Sequence, residues 1–380
     1  VLLSKGFEVE IYTSTPEGQI IGLSDRIVKD LDGFVREPDS RNVEYTTAPF
    51  CNYDRLLCAL LKPRRQLRQY LKQLGNYTLI PGSTLSTGGS DHFERSDPGN
   101  PYHTYIEQTY GTKVVTASIH INVGISDHEQ LIRACRLVRL EAPLYLALSA
   151  SSPFLDGQAT GYHSTRWSVF PQTPSYVPLF ESHAHFIRWT EQQITLGTMQ
   201  NVRHLWSSVR PNGNNRPYNL NRLELRICDL VTNPITLLAI SALLEARLTQ
   251  LLADPKLDPL ILSEKRSEDL ITLTRDNERS AAKNSLDAEL KHWKDGRPIL
   301  AKDWITELYE EVLPIAKEKG FSCFLSPVKK ILREGNSAQQ WLKDYEKGLD
   351  VRSIMIQAIQ TLDHEELELE HKLCEPLLVA

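Results

Sequence analysis

Glu8 and Glu10 stand two apart in Phe7-Glu8-Val9-Glu10-Ile11, each flanked by apolar residues. Side chains of an extended strand alternate between its faces, so both carboxylates project to one side and Phe7, Val9 and Ile11 to the other. The pattern recurs across residues 42–46, where Glu44 opposes Val43 and Tyr45. It recurs across 118–125, where Ser118, His120, Asn122 and Gly124 oppose four branched residues, and across 222–227, where Arg222, Glu224 and Arg226 oppose Leu223, Leu225 and Ile227. Any one of these strands fits an antiparallel sheet with one face in water. Together their polar faces carry Glu, His, Asn and Arg, where a solvated face would more commonly carry Thr, Lys, Ser and Gln. If the strands share one sheet, several carboxylates converge on one surface and repel one another unless cations lie among them. Oxygen donors with one imidazole suit Mg²⁺, with Mn²⁺ as the alternative, and the lack of thiolates on these faces argues against zinc or iron–sulfur chemistry.

Carboxylate-bound Mg²⁺ next to arginines is the physical kit for phosphoryl transfer, because the metals neutralise phosphate oxygens and the guanidinium groups stabilise developing charge. Arg210 and Arg216 fall in a Pro/Asn/Gly-rich stretch just before the Glu224 strand, read as a loop within reach of phosphates. Other chemistries lack their residues. There is no Gly-x-x-x-x-Gly-Lys-Ser/Thr loop and no Gly-x-Ser-x-Gly elbow. His183 and His185 lie two apart where the pattern runs into a helix, the wrong spacing for one helical face. A hydrolase using the same carboxylates on water would have no use for the arginines beside Glu224, and a helical adaptor on a degenerate scaffold would have none for intact metal ligands on all four strands.

These strands need elements to hold them. Helices are expected at 53–74 and 127–148, then at 235–252, 259–274, 281–294, 301–319, 337–347 and 351–374, with Asp295-Gly296-Arg297-Pro298 as a break between two of them. Residues 81–101 and 151–178 read as long loops, the kind that serve as lids. The chain of 380 residues therefore divides into a catalytic sheet domain, 1–254, and a helical region, 255–380, packed on it. A net charge of −5 offers no nucleic-acid surface, and no apolar run approaches the roughly 20 residues of a membrane span. Six scattered cysteines without a Cys-x-x-Cys pair read as reduced, mostly buried thiols of a cytoplasmic protein. Oligomeric state is not legible.

Taken in order, Gly6-Phe7-Glu8-Val9-Glu10, Glu37-Pro38, Val43-Glu44-Tyr45-Thr46-Thr47-Ala48-Pro49, Ser118-Ile119-His120-Ile121-Asn122-Val123-Gly124, Thr160-Gly161-Tyr162-His163-Ser164-Thr165-Arg166, Val209-Arg210-Pro211 and Leu223-Glu224-Leu225-Arg226-Ile227-Cys228-Asp229 resemble the glutamate–cysteine ligases, most closely their cyanobacterial-type members. Those enzymes belong to the carboxylate–amine ligases with a glutamine synthetase-like catalytic fold. The resemblance implies an α+β fold: a curved, mainly antiparallel sheet with helices outside, the site in its concave face and a helical C-terminal region. It implies that Glu8, Glu10, Glu37, Glu44, His120 and Glu224 hold magnesium, that Arg226 contacts the transferring phosphate with Arg210 as a further phosphate contact, and that Arg166 grips glutamate. It implies an ATP-dependent joining of L-glutamate to L-cysteine through a γ-glutamyl phosphate, the first step of glutathione biosynthesis, with small-molecule substrates and neither nucleic-acid nor membrane partners. A ligase of the same fold for another amine stays open, because no cysteine pocket can be located from sequence.

Overall fold

A computed structural model describes residues 2–373. The strands are β1 (Lys5–Ser14), β2 (Phe34–Arg36), β3 (Asn42–Thr46), β4 (Thr78–Ile80), β5 (Ile119–Gly124), β6 (Phe154–Leu155), β7 (Gln158–Ala159), β8 (Val209–Asn212), β9 (Arg222–Leu225), β10 (Glu289–Lys291) and β11 (Pro298–Leu300). Seven of them form one sheet in the order β2-β3-β1-β5-β9-β8, with β4 also paired to β1. Every pairing is antiparallel, so the expected α+β class with an antiparallel sheet holds.

One sheet face is mainly apolar, with the buried Lys5–Glu245 ion pair at its end. Phe7, Val9, Ile11, Val43, Tyr45, Ile119, Ile121, Val123, Leu223 and Leu225 are buried there. They join a core with residues of the helices Tyr53–Gly75, His128–Ser149 and Pro234–Ala253. Each such side chain contributes about 1.5–3 kcal/mol on burial, which fixes the strands face-down and leaves their polar residues on the other side. The helix Pro234–Ala253 starts as the sequence suggests: Asn233 Oδ1 accepts from Ile235 N at 2.9 Å and Thr236 N at 3.1 Å, with Pro234 in the first turn. This helix is long and apolar enough to cross a bilayer, more so than the sequence reading allowed. Its most apolar window is nevertheless 72% buried inside the protein, as suits a core helix.

The C-terminal region departs from the expected run of helices. Residues 259–274 do not form one helix: a short turn, Pro259–Leu262, precedes the helix Ser267–Asn284. Residues 281–294 are not a helix either. The chain leaves the helix at Ser285 with φ +44° and enters the hairpin β10–β11. Leu290 is buried between exposed Glu289 and Lys291, a period of two, and Asn277 of the preceding helix exchanges 2.8 Å hydrogen bonds with both backbone groups of Lys291. Asp295-Gly296-Arg297 turns the hairpin, with Gly296 at φ +80° where a side chain would be strained. The last helix spans Val351–Leu373, so Cys374 lies outside the described residues. Among the described residues Cys51, Cys58, Cys135, Cys228 and Cys323 are free, but only Cys135 and Cys228 are buried.

Candidate active site

The register brings the polar residues into neighbouring rows. Glu10 pairs with Glu44 across β1 and β3, and Glu8 with His120 across β1 and β5. Asn122 pairs with Glu224 across β5 and β9, and Glu224 with Arg210 across β9 and β8. Directly opposed residues share a sheet face, so the period-two pattern of separate strands becomes one charged surface. Glu37 follows edge strand β2. The loop Pro81–Pro101 region pins it there: Ser96 Oγ donates to the Glu37 carbonyl and Ser96 N to the Pro38 carbonyl at 3.1 Å. That loop is itself tied down by Arg41, which pairs bidentately with Asp39 at 2.8 and 2.7 Å and donates to the carbonyls of Gly89 and His92.

Two donor groups result. Glu8, His120 and Glu224 form one; Glu10, Glu37 and Glu44 form the other, with ligand atoms in each group within 4.8 Å of one another. His120 bridges them. Its Nδ1 lies 2.8 Å from Glu8 Oε2 and 3.6 Å from Glu224 Oε1, and its Nε2 lies 4.0 Å from Glu10 Oε1. Asn122 Nδ2 donates to Glu8 Oε1 at 3.0 Å, and Ser118 Oγ to Glu10 Oε2 at 2.9 Å.

The electrostatics of the two groups differ. Burial alone would raise the Glu224 carboxyl, yet the charges of Arg210 and Arg226 hold it well below the usual range. Burial likewise opposes ionisation of Glu8, but the His120 hydrogen bond together with the charges of His120 and Arg226 brings its carboxyl below the usual value. In the other group, among the described residues, no lysine or arginine forms an ion pair with the carboxylates, and His120 comes only within 4.0 Å of Glu10. Burial first, then the charges of Glu10 and Glu44, push Glu37 well up. Burial, followed by the charges of Glu10 and Glu8, pushes Glu44 up to about 7 despite a hydrogen bond from Glu37. A carboxylate cluster that must hold a proton to be stable suits a hard divalent cation, which could replace that proton. The donor set, oxygen with one imidazole, fits Mg²⁺ or Mn²⁺.

Glu8, Glu10, Glu37, Glu44 and His120 line a cavity of about 420 Å³, with Glu224 buried behind them. Arg226 reaches Glu224 Oε1 from Nη1 at 2.5 Å, while its buried Nε has no partner. Arg210 lies on β8, not in a loop as the Pro and Asn suggested. It grips Glu224 with Nε at 2.7 Å and Nη2 at 3.0 Å, and spends Nη1 on the carbonyls of Arg203 and Leu205. Arg166, on the short helix Thr165–Val169, donates to the carbonyls of Ile227 and Arg226 at 3.1 and 3.0 Å and keeps a buried Nε without a partner. Arg216 is also part-buried, its pKa lowered to about 10 by burial and then by the charge of Arg210. His183 and His185 take no part: His183 Nε2 meets the Pro217 carbonyl at 2.8 Å on a separate helix.

Sequence reading missed the opposite wall. Tyr102 and Ile106 of the helix Pro101–Tyr110, together with Arg203 and Trp206, close the cavity with Phe93 and Phe170 from the two long loops. Only the loops carried a signal, through their length.

Comparisons with known proteins bear on the family and the fold. The family described as Glutamate-cysteine ligase family 2 (GCS2) matches residues 4–373. A protein of Sorangium cellulosum (strain So ce56) named "Putative glutamate--cysteine ligase 2" is 32% identical over 244 residues, which cover 64% of this chain and 62% of that protein. A bifunctional glutathione synthetase from Pasteurella multocida superposes with a TM-score of 0.74 at 14% identity, over 97% of this chain and 53% of that one. A glutamate–cysteine ligase from Francisella tularensis, in complex with AMP, superposes with a TM-score of 0.70 at 13% identity, over 96% of this chain and 89% of that one. At these identities the structural likeness is one of fold. The match spans 62% of the length of the Sorangium protein and 53% of the Pasteurella one.

Proposed function

The chain belongs to glutamate-cysteine ligase family 2, and from that premise we propose that it joins the γ-carboxylate of L-glutamate to the amine of L-cysteine at the expense of ATP, making γ-glutamylcysteine, the first step of glutathione biosynthesis. The observation that carries the reading is the pair of donor groups on one sheet face, Glu8–His120–Glu224 and Glu10–Glu37–Glu44, with Arg226 beside them. The six residues would hold Mg²⁺ ions, which would supply charge neutralisation for phosphate oxygens.

Each side chain then has a task. Arg226, fixed through Nη1 by Glu224 and open at Nε, stabilises the phosphoryl group as it moves from ATP to the γ-carboxylate. Arg166, also open at Nε, holds the glutamate. Arg210 is consumed by Glu224 and backbone carbonyls, so it acts on phosphate by its charge and by keeping Glu224 ionised. The γ-carboxylate oxygen attacks the γ-phosphorus and ADP leaves; the cysteine amine attacks the acyl carbon and phosphate leaves. The second step must exclude water from the acyl phosphate, and the wall of Phe93, Tyr102, Phe170 and Trp206 serves that exclusion. The chemistry lies within residues 1–254, with the rest of the chain as its support. Free thiols support a cytoplasmic location.

ADP release by purified protein with Mg²⁺, ATP and L-glutamate, scanned over amines with cysteine among them, tests the reading. Release that needs both glutamate and cysteine, and stops with a chelator, is the expected result. Release with glutamate and another amine would replace the acceptor; no nucleotide turnover with any amine would overturn the ligase.

A further inference from the structure

Arg166 sits on one turn of helix within a long loop, a poor platform for a side chain that must be aimed. Its direction is set from behind by Asp229, a residue on no metal group and outside the cavity wall. Asp229 is fully buried. Its Oδ2 accepts from Ser151 N at 3.0 Å and Ser152 Oγ at 2.7 Å. Its Oδ1 accepts from Ser164 Oγ at 2.8 Å and lies 3.9 Å from Arg166 Nη1.

Each of these partners leads back to Arg166. Ser164 caps the helix Thr165–Val169, its Oγ accepting from Trp167 N at 3.2 Å. Ser152 Oγ accepts from Arg166 N at 3.2 Å. The carbonyls that receive the guanidinium belong to Arg226 and Ile227, on the segment that ends in Asp229. One carboxylate therefore ties the loop, the helix start and the strand end into a single frame. Asp229 is near enough to share the burial cost of the Arg166 cation, yet at 3.9 Å it does not take a full hydrogen bond. Nε is left without a partner.

We infer that Asp229 is a positioning residue: through Ser152, Ser164 and the guanidinium it aims Arg166 into the cavity with its Nε donor kept open for a substrate carboxylate. That this carboxylate belongs to glutamate rests on the function proposed above; the aiming of Arg166 does not.

D229N keeps the shape and removes the charge and one acceptor. The expected result is a KM for L-glutamate raised about tenfold or more, with kcat at saturating glutamate and the KM for ATP within about threefold of the parent. A folded D229N whose glutamate KM stays within about twofold, or whose kcat falls and ATP KM rises along with the glutamate KM, overturns the inference. If D229N does not fold, S152A decides by the same split, since it removes one donor to Asp229 and one acceptor for Arg166 N. A crystal structure of whichever variant folds reads the aim itself. An Arg166 guanidinium displaced from the carbonyls of Arg226 and Ile227 supports the inference even if glutamate proves not to be the substrate; an unmoved guanidinium overturns it.

Discussion

Glu10 and Glu44 face each other across β1 and β3 as a directly opposed pair of carboxylates. Like charges so placed weaken a sheet, and Glu37 joins them. The Glu44 carboxyl, pushed up to about 7 by burial and then by Glu10, keeps a proton in the folded protein that the unfolded chain, at 4.5, has released. The folded state thus binds more protons between those values, and stability from this group falls as pH rises through that window. A divalent cation substitutes for the proton. MgCl₂ should therefore raise the melting temperature more at about pH 8 than at about pH 5.5, where protons compete for the same oxygens. Calorimetry giving equal shifts at both would remove the carboxylate group as a cation site.

Glu224 answers two arginines, the buried Arg210 and the part-buried Arg226. Glu224→Gln keeps the shape but leaves both cations without their shared counter-charge, costing about 3 kcal/mol in urea unfolding, and it removes a metal ligand. Turnover should drop by about a thousandfold or more while circular dichroism stays that of the parent. Near-normal ADP release from this variant would sink the metal assignment.

Arg226 offers a buried Nε with no partner next to the donor group of Glu8, His120 and Glu224. An interaction made with the migrating phosphoryl group, not with bound ATP, lowers the barrier without tightening the ground state. Arg226→Ala should lose about a hundredfold to a thousandfold in kcat with a much smaller change in KM for ATP. A pure KM effect in steady-state kinetics would make it a nucleotide-binding residue instead.

Glu366, buried on the last helix, pairs with Arg64 and Arg68 of the helix Tyr53–Gly75, and Glu370 meets Arg68 at 3.3 Å. Among the described residues, removing the shared carboxylate leaves buried Arg64 without an anionic partner and Arg68 with Asp363 and Glu370 alone. Glu366→Ala should cost about 3–5 kcal/mol and expose the last helix to proteolysis. Limited digestion identical to the parent would show that apolar packing alone docks it.

The sequence by itself determined the polar face. Strict alternation in β1, β3, β5 and β9 assigns Glu8, Glu10, Glu44, His120 and Glu224 to one side, because period two admits no other arrangement once Phe7, Val43, Ile121 and Leu225 are buried. It also determined the helix Pro234–Ala253, through its cap and its apolarity. Tertiary structure alone decided which of these residues meet, since strand order and register are long-range facts that no local period encodes. It placed Glu224 between Arg210 and Arg226, turned the Pro-containing stretch of Arg210 into an edge strand where the missing N–H costs nothing, and folded 289–300 as a hairpin held by Asn277. It also brought Asp229 behind Arg166 from far along the chain, a contact made by burial and hydrogen-bond satisfaction and not by spacing.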